Sequence, residues 1–279
     1  MNIDGVGQIG AARFGATASE AFRDFAARVV MDAEGAEISP SRPARNSDQA
    51  FNGIGLPLLQ FNHTRLVEDG GYWWWHTPDD TFDKIDGDVL KTDTYLYADA
   101  LAEMLAGEVY PVSVSAQVEA LAAAIAAREA ASGGALQLEE HLGNRLDRLR
   151  KAAARVDELA ADGETDPLEQ LAALRPLHRV MYVPLNNYHP DPGITLGPLP
   201  GLAPARILAA EGTDGDRLGF AVPILARERN RLVEAIDNAI FVSTWATLME
   251  DMAVMRVAVD GILEYQQQRE EQEEQENPP

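Results

Sequence analysis

The 279-residue chain contains no cysteine, and its basic residues are few compared with its acidic ones. The absence of cysteine excludes disulfides, thiolate metal sites and cysteine nucleophiles, so a bound metal would need His, Asp and Glu ligands. With 45 Asp and Glu against 23 Lys and Arg, the formal net charge is -22. Because phosphate groups would be repelled by such a surface, we expect neither nucleic acid nor an anionic membrane as a partner.

The sequence also lacks a long hydrophobic run. No stretch of about 18 apolar residues is present to span a bilayer, and the opening MNIDGVGQIG has neither the basic nor the apolar region of a signal peptide. We therefore expect a soluble, untargeted chain and leave its compartment open. A hydrophobic content of 46% is enough for a sizeable core, in one large domain or two ordinary ones.

Residues 1–110 have the pattern of an α/β region, with short apolar segments separated by Gly and Pro. SEAFRDFAARVVMDA (19–33) places apolar residues at helical spacing behind Ser19, and GLPLLQFNH (55–63) is typical of a buried strand. Asp86 is expected to cap a helix that runs to about residue 107. The inner face of that helix would carry Leu90, Leu101, Met104 and Leu105. Together these segments predict a βαβα arrangement.

The second part of the chain, residues 111–268, is expected to be helical. Two Ala- and Leu-rich segments flank Gly133-Gly134, which predicts a helical hairpin. Residues 176–223 are rich in Pro and Gly and predict an extended connection over the surface. A further helical region follows at 224–268, and the acidic tail at 269–279 is expected to be disordered.

The most informative segment is GGYWWWHTPDDTFDKID, residues 70–86. Pro78 and the aspartates that follow favour a turn, so the imidazole of His76 is presented by a loop. Two interpretations stay open: a surface histidine beside helix-capping aspartates, or a metal ligand with Asp80 as its supporting carboxylate. At least one of the three tryptophans is expected to close the core, while others line an apolar pocket.

Three segments of the chain carry a resemblance to a known family. HTPDDTFDKID resembles the C-terminal signature of the co-catalytic zinc aminopeptidases, which include glutamate carboxypeptidase and the catalytically inactive transferrin receptor. MNIDGVG is similar to the family's strand end with a zinc-binding Asp, and RNSDQAFNGIGLP resembles a segment beside the substrate pocket. The three segments occur in the family's order.

The resemblance implies an α/β fold in two parts. Residues 1–110 would form part of a zinc-exopeptidase sheet sandwich, the C-terminal part of the catalytic domain. Residues 111–268 would form a helical domain similar to the dimerisation domain of the transferrin receptor, which implies a homodimer through this domain. Because relatives are often exported, localisation stays unknown.

The resemblance also implies a site and an activity. Asp4 and His76 correspond to two zinc ligands, and Asp80 would support His76 from behind. The implied reaction is zinc-dependent hydrolysis of N-terminal peptide bonds, with two zinc ions in the complete site and a peptide as substrate. The implied pocket residues are Asn46, Ser47, Asp48, Phe51 and Trp75. Trp75 is a departure, since many relatives have a Tyr there whose hydroxyl stabilises the tetrahedral intermediate.

The family's other zinc ligands and its general-base Glu all precede the segment that contains Asp4. The chain therefore resembles a truncated C-terminal portion that keeps two of five ligands, and we expect weak zinc binding and no turnover by this portion alone. The alternative is a catalytically inactive scaffold of the same family that acts in dimerisation or partner binding.

Several other polar residues are weaker candidates. Glu139, Glu140 and His141 have metal-binding side chains but are expected on a solvated helix face. His63, His178 and His189 have weaker claims to a functional role. His63 could face the site but is expected in the core or at the surface, and His189 lies in a rigid loop that could lean over the pocket. Arg45 and Arg65 are candidate anchors for a substrate carboxylate.

Overall fold

The computed structural model describes residues 1–44, 50–106, 109–184, 196–210 and 215–276. In this part, helices predominate and one small sheet is present, made of β1 (Arg13–Ala18) and β2 (Leu59–Thr64). The two strands are antiparallel, with Arg13 opposite Thr64 and Ala18 opposite Leu59. The expected sheet sandwich is therefore not found among the described residues, and the strand predicted at 55–63 pairs only with β1.

The chain between the two strands forms the helix predicted for residues 19–33. A 3₁₀ turn, Glu20–Phe22, leads into α1 (Arg23–Glu34), which ends at Gly35 in the left-handed conformation. The Ser19 hydroxyl does not cap this helix; it accepts a hydrogen bond of 2.7 Å from the N–H of Leu58. Ser19 thus joins the start of the helix to the segment before β2, and the short α2 (Ala50–Gly53) lies just upstream.

Helix α3 (Gly87–Ala106) begins as predicted, because Asp86 Oδ1 accepts hydrogen bonds from the N–H groups of Asp88 and Val89. The predicted inner face is wrong in part. It fails at Leu90 and Leu105, which are exposed, whereas Leu101 and Met104 are half-buried and Met104 packs against the core. The fully buried residues are Asp93, Leu96, Tyr97 and Ala100. A charged residue lies on the buried face because its carboxylate has polar partners there, which are described below.

Four helices form a bundle: α4 (Val114–Ala131), α5 (Leu138–Ala161), α6 (Pro167–Tyr182) and α7 (Gly215–Glu276). The predicted hairpin corresponds to α4 and α5, and α6 and α7 pack against them and each other. No helix in the described ranges is long and apolar enough to cross a lipid bilayer.

The structure differs from the expected extended connection at 176–223. Pro176 lies inside α6, which continues to Tyr182, and a 3₁₀ helix, Pro200–Ile207, follows the undescribed residues 185–195. Proline costs a helix one internal hydrogen bond, and packing of α6 against α7 and α4 offsets this cost. At its far end, α7 extends to Glu276, through most of the predicted acidic tail.

One hydrophobic cluster connects the sheet region with the bundle. It includes Phe25 of α1, Phe61 of β2, Leu149 of α5, Leu174 of α6 and Ile236 of α7. The core therefore runs across residue 110, where the change in sequence pattern predicts a domain boundary.

A buried polar network holds α2 and the 3₁₀ turn at Glu20 against α6. His178 is fully buried, and its Nε2 donates a 2.8 Å hydrogen bond to Asn52 Oδ1. Close by, Arg42 donates to Glu20 Oε1 at 2.6 Å, and the Tyr182 hydroxyl donates to Glu20 Oε2 at 2.7 Å. Burial and the positive charge of Arg42 lower the pKa of His178 from 6.5 to about 3, so its imidazole is neutral at neutral pH.

Gly55 adds a steric constraint to the same contact. Its φ of +79° is in the left-handed region, and a Cβ there would lie 2.7 Å from the backbone oxygen of Arg175. Arg175 Nε in turn donates to the Ile54 carbonyl at 2.7 Å. The loop backbone thus lies directly on α6, with no room for a side chain between them.

His178 makes the stability of the fold depend on pH. Below about pH 6.5 the unfolded chain binds a proton at this histidine that the folded chain does not, so the free energy of unfolding falls as pH is lowered towards 3. Well below pH 6.5, the free energy of unfolding is expected to fall by about 1.4 kcal/mol for each pH unit. Urea unfolding should be measured at pH 6.5 and about one unit lower, a range in which few carboxylates titrate. Between these two pH values, the free energy of unfolding should change less for His178→Gln than for the native chain. His141→Gln, at an exposed site, is the control; equal slopes in all three proteins would disprove this role.

Candidate functional site

The N-terminal segment that contains Asp4 is held between β2 and the loop before α3. The N–H of Asn2 donates to the Leu59 carbonyl at 2.8 Å, and the N–H of Ile9 donates to the Lys84 carbonyl at 2.9 Å. The N–H of Asp86 donates to the Gly7 carbonyl, also at 2.9 Å. Asp4 lies between these anchors with an exposed side chain. The backbone at Asp4 is therefore positioned from both sides.

The buried carboxylate of Asp93 connects this segment to the interior. Asp93 Oδ2 accepts a 2.7 Å hydrogen bond from the N–H of Gly7, and its Oδ1 lies 2.9 Å from Nδ1 of His63. The His63 ring stacks on Phe14 of β1 with a centroid distance of 3.9 Å. His63 is thus a core histidine of β2, one of the two interpretations that the sequence left open.

The aromatic loop, residues 65–86, follows β2 and contains the three consecutive tryptophans. Trp74 is 2% exposed, and its neighbours include the rings of Tyr72 and Trp73 and the guanidinium of Arg65. The flanking Trp73 and Trp75 are both more than half exposed. Trp74 therefore anchors the loop, which leaves the flanking tryptophans at its surface.

His76 lies on a turn, as the sequence predicted, with an exposed side chain and a φ of +58°. Left-handed backbone is uncommon for residues other than glycine, and it persists where the surroundings enforce it, often at functional sites. The Thr77 hydroxyl enforces the turn by donating to the Trp74 carbonyl at 2.6 Å and accepting from the N–H of Asp79 at 3.2 Å. The His76 ring stacks on Trp75 at 4.0 Å.

The phenol of Tyr72 is influenced by charges on both the N-terminal segment and the aromatic loop. Burial raises the pKa of its phenol, and the negative charges of Asp80 and Asp4 raise it further. A Cβ built on Gly5, the residue after Asp4, would lie 3.9 Å from the Tyr72 hydroxyl oxygen, so the phenol lies beside the N-terminal segment. The hydroxyl stays protonated at neutral pH. The Tyr72 ring also stacks against Trp75, with a centroid distance of 6.2 Å and an interplanar angle of 16°. His76, Trp75 and Tyr72 thus form a continuous series of ring contacts.

Tyr72 was missed by reasoning from sequence. The resemblance directs attention to position 75, where Trp75 replaces the tyrosine of many relatives. The available signal was a tyrosine three residues earlier in the same loop, but only the structure relates it to Asp4 and Asp80.

The residues described do not complete a zinc site. Structural and catalytic zinc sites use three or four protein ligands, whereas Asp4 and His76 supply two at most. Across the described ranges, no three His, Asp or Glu side chains come together in a group that could hold a metal ion. Asp4 and His76 also share no carboxyl edge of a parallel sheet, because the sheet in the described residues is a single antiparallel pair.

A cavity of about 260 Å³ lies beside the start of the N-terminal segment. Its lining is mostly apolar and consists of Met1, Asn2, Phe51, Leu56, Pro57 and Leu58. Phe51, one of the predicted pocket residues, thus faces a cavity that begins two residues before Asp4. The predicted pocket residues Asn46, Ser47 and Asp48, together with Arg45 and His189, lie outside the described residues.

Of the remaining candidates, one group lies on α5 and Arg65 lies in the aromatic loop. Glu139, Glu140 and His141 are exposed in the first turn of α5, and His141 Nε2 accepts a 3.1 Å hydrogen bond from Arg229. Arg65 packs its guanidinium 5.9 Å from the centre of the Trp74 ring, an arrangement that helps to anchor the aromatic loop.

In comparisons with known proteins, the chain matches no family model and no curated protein. The resemblance to the zinc aminopeptidases therefore depends on the three sequence segments, and a functional proposal depends on the geometry around Tyr72.

The two carboxylates near Tyr72 can be tested separately. Because a nearby negative charge disfavours the phenolate, Asp4→Asn and Asp80→Asn should each lower the pKa of Tyr72 towards its ordinary value. Titration of carbon-labelled tyrosine by NMR would measure this pKa directly. Asp79→Asn removes a neighbouring carboxylate of the same loop and should have little effect; a Tyr72 pKa that is the same in all the variants would rule out the proposed proximity.

The close approach of the N-terminal segment to α3 depends on Gly7. Its φ is +73°, and a Cβ at this position would lie 2.9 Å from Cβ of Leu90. Gly7→Ala should therefore lower the free energy of unfolding by at least about 1–2 kcal/mol. In Gly15→Ala on β1, the added Cβ would meet nothing within 4 Å, so this variant should be neutral or slightly stabilising. Chemical denaturation of both variants would compare them; equal stabilities would contradict the steric argument.

Proposed function

We propose that the chain contributes part of the site of a zinc-dependent exopeptidase, of the type that hydrolyses N-terminal peptide bonds. The observation that carries the proposal is the position of the Tyr72 phenol: a Cβ built on Gly5, next to Asp4, would lie 3.9 Å from its hydroxyl oxygen, and the charges of Asp80 and Asp4 both raise its pKa. Asp4 and Asp80 belong to two of the three segments that resemble the zinc aminopeptidases, and they are 76 positions apart in the sequence. Their shared neighbour supports a common site at this surface.

Asp4 and His76 are the two zinc ligands in this proposal, and Asp80 is the supporting carboxylate. Zinc in such a site would polarise the scissile carbonyl and lower the pKa of a bound water. The described residues contain no group of three metal-binding side chains, and the three segments that resemble the family do not include its bridging carboxylate or its general base. The proposal therefore assigns metal-binding roles to this chain and no general base.

The residues around Tyr72 and the cavity suit the substrate of an aminopeptidase. The cavity that Phe51 lines has the apolar character needed for a hydrophobic side chain. The carboxylates of Asp4 and Asp80 attract the positively charged amino terminus of a peptide. Since the Tyr72 phenol keeps its proton, it can donate a hydrogen bond to an oxygen on which negative charge develops.

A second function, assembly or partner binding by an inactive scaffold, is favoured by two observations. No group of three metal-binding side chains is found in the described ranges. In addition, the C-terminal half of α7 exposes a row of large apolar side chains, including Phe241 and Trp245. A scaffold would keep the fold and its interaction surface without metal chemistry.

Zinc titration of the purified chain by calorimetry tests the leading proposal. His76→Ala and Asp4→Asn should each weaken zinc binding, since each removes one of two ligands, and Asp80→Asn should weaken it by about 10–100-fold through loss of the supporting contact. His141→Ala is the control, because it removes an exposed histidine far along the sequence. Zinc affinity that is equal in the native chain, His76→Ala and Asp4→Asn would rule out the proposed ligands.

Hydrolysis of an aminoacyl-nitroanilide, assayed on the same samples, tests completeness of the site. We expect no turnover above the uncatalysed rate, because none of the three segments that resemble the family carries its bridging carboxylate or its general base. Zinc-dependent turnover that His76→Ala abolishes would contradict this expectation and would mean that other residues of this chain complete the site. Absence of any zinc binding would instead favour the scaffold.

A further inference from the structure

The C-terminal half of α7 has an apolar face that the described part of the chain does not cover. Residues such as Ala239, Ser243 and Ala246 are buried, but this buried face ends at Ala246. From residue 248 onwards, every α7 side chain that the structure describes is exposed. The uncovered apolar side chains expose between 46% and 67% of their surfaces. We call this row the seam: Phe241, Trp245, Leu248, Met252, Met255 and Val259.

The spacing along the seam suits a helix as its partner. Successive members are 4, 3, 4, 3 and 4 residues apart, the alternation that lets the side chains of a second helix insert between them. At about 100° per residue, the seam lies on the side of α7 opposite Ala239, Ser243 and Ala246. An extended peptide could not pair with it as with a sheet edge, because the backbone groups of a helix are already bonded to one another.

Methionine makes this face adaptable. Three of the seven methionines of the chain, Met249, Met252 and Met255, lie within two turns of α7 and are between 44% and 58% exposed. Flexible, polarisable Met side chains on a surface adjust to partners of different shape. The face can therefore receive apolar side chains from a sequence unlike its own.

The charge of this part of the chain selects a basic partner. Residues 241–276 contain nine Asp and Glu side chains, two Arg and no Lys. Six of the nine are glutamates in 264–276, immediately beyond the seam. Two such segments placed side by side repel one another, and an anionic membrane is repelled as well, whereas Lys and Arg of a partner are attracted.

The area of the seam corresponds to a transient complex. A large apolar or aromatic side chain that buries half its surface contributes on the order of 100 Å². Six such residues amount to about 600 Å², compared with about 800 Å² per partner in interfaces of standard size. A dissociation constant in the micromolar range is therefore expected.

We propose that the seam binds an amphipathic helix of a different protein, whose apolar residues repeat at 4-3 spacing and whose other face is basic. The apolar residues would pack on the seam, and the Lys and Arg side chains would face the acidic residues of 241–276. This inference rests on the interaction function proposed above and names its class of partner.

A set of three synthetic peptides tests the proposal against the full-length chain. The first is a helix of about 28 residues with Leu at 4-3 spacing and Lys and Ala elsewhere. The second has Glu in place of Lys, and the third has the composition of the first with the Leu spacing disrupted. Calorimetry should show binding of the first peptide that is about tenfold or more tighter than binding of the other two. No binding of the first peptide, or equal binding of all three, would overturn the proposal.

Variants of α7 locate the contact. Trp245→Ala and Met252→Ala should each weaken binding of the first peptide by about tenfold or more, because each removes an apolar anchor. Val257→Ala is the matched control, since Val257 is 73% exposed on the same helix but does not belong to the seam. Circular dichroism should show the same helix content in all three variants. Peptide affinity that is unchanged in both seam variants would place the contact elsewhere and overturn the proposal.

Salt tests the electrostatic part of the proposal. Raising the ionic strength from about 0.01 M to about 0.15 M shortens the screening length from about 30 Å to about 8 Å, so binding of the first peptide should weaken. Binding that is independent of salt would contradict recognition of a basic partner.

The oligomeric state separates a different protein from a second copy as occupant of the seam. Light scattering should give the same mass for the native chain and Trp245→Ala. A native dimer that Trp245→Ala dissociates would mean that a second copy fills the seam, which would overturn the proposal.

Zinc and peptide are separate readouts, so the two proposals can fail independently. Peptide binding should be the same with and without zinc. Absence of zinc binding would count against the exopeptidase and leave this inference standing, whereas zinc binding without peptide binding would do the reverse.

Discussion

The candidate site depends on one buried carboxylate, that of Asp93. Isolated in an apolar interior, a carboxylate is strongly unfavourable, and it is tolerated here because both of its oxygens have partners. The N–H of Gly7 donates to one oxygen and His63 lies beside the other, so a single side chain of α3 connects the N-terminal segment with β2. This contact adds a buried side-chain anchor to the backbone hydrogen bonds that hold the N-terminal segment on β2 and on the aromatic loop. The chemistry of the surface thus follows from a polar interaction in the interior.

A second constraint acts from the bundle. Asn52 and Gly55 hold the cavity-lining segment directly on α6. Asn52 accepts a hydrogen bond from the neutral, buried His178. At Gly55 the backbone approaches α6 so closely that there is no space for a Cβ. The cavity and the Tyr72 environment are therefore supported by different elements, α6 for the cavity and α3 for the N-terminal segment. Pre-organisation by packed helices of this kind is what a binding or catalytic surface requires.

Much of the helical structure could be predicted from sequence because its determinants are local. Asp86 caps α3 through N–H groups two and three residues away, and Gly35 ends α1 within one turn. Predictions failed where the decisive partners are distant. Pro176 suggested an extended connection, yet packing of α6 against other helices outweighs the lost hydrogen bond. Asp93 was not expected in the interior, since its partner Gly7 lies 86 residues earlier.

The sequence by itself determined the acidic character of the protein, the turn at His76 and the strand predicted at 55–63, observed as β2, because composition, turn formation and periodicity are properties of the chain or of short segments. Only the tertiary structure decided that this strand pairs antiparallel with β1, that Trp74 is the buried tryptophan, and that Tyr72 lies near Asp4 and Asp80. It also decided which face of α7 stays uncovered. Each of these outcomes is set by contacts between residues far apart in the chain, which local patterns do not encode.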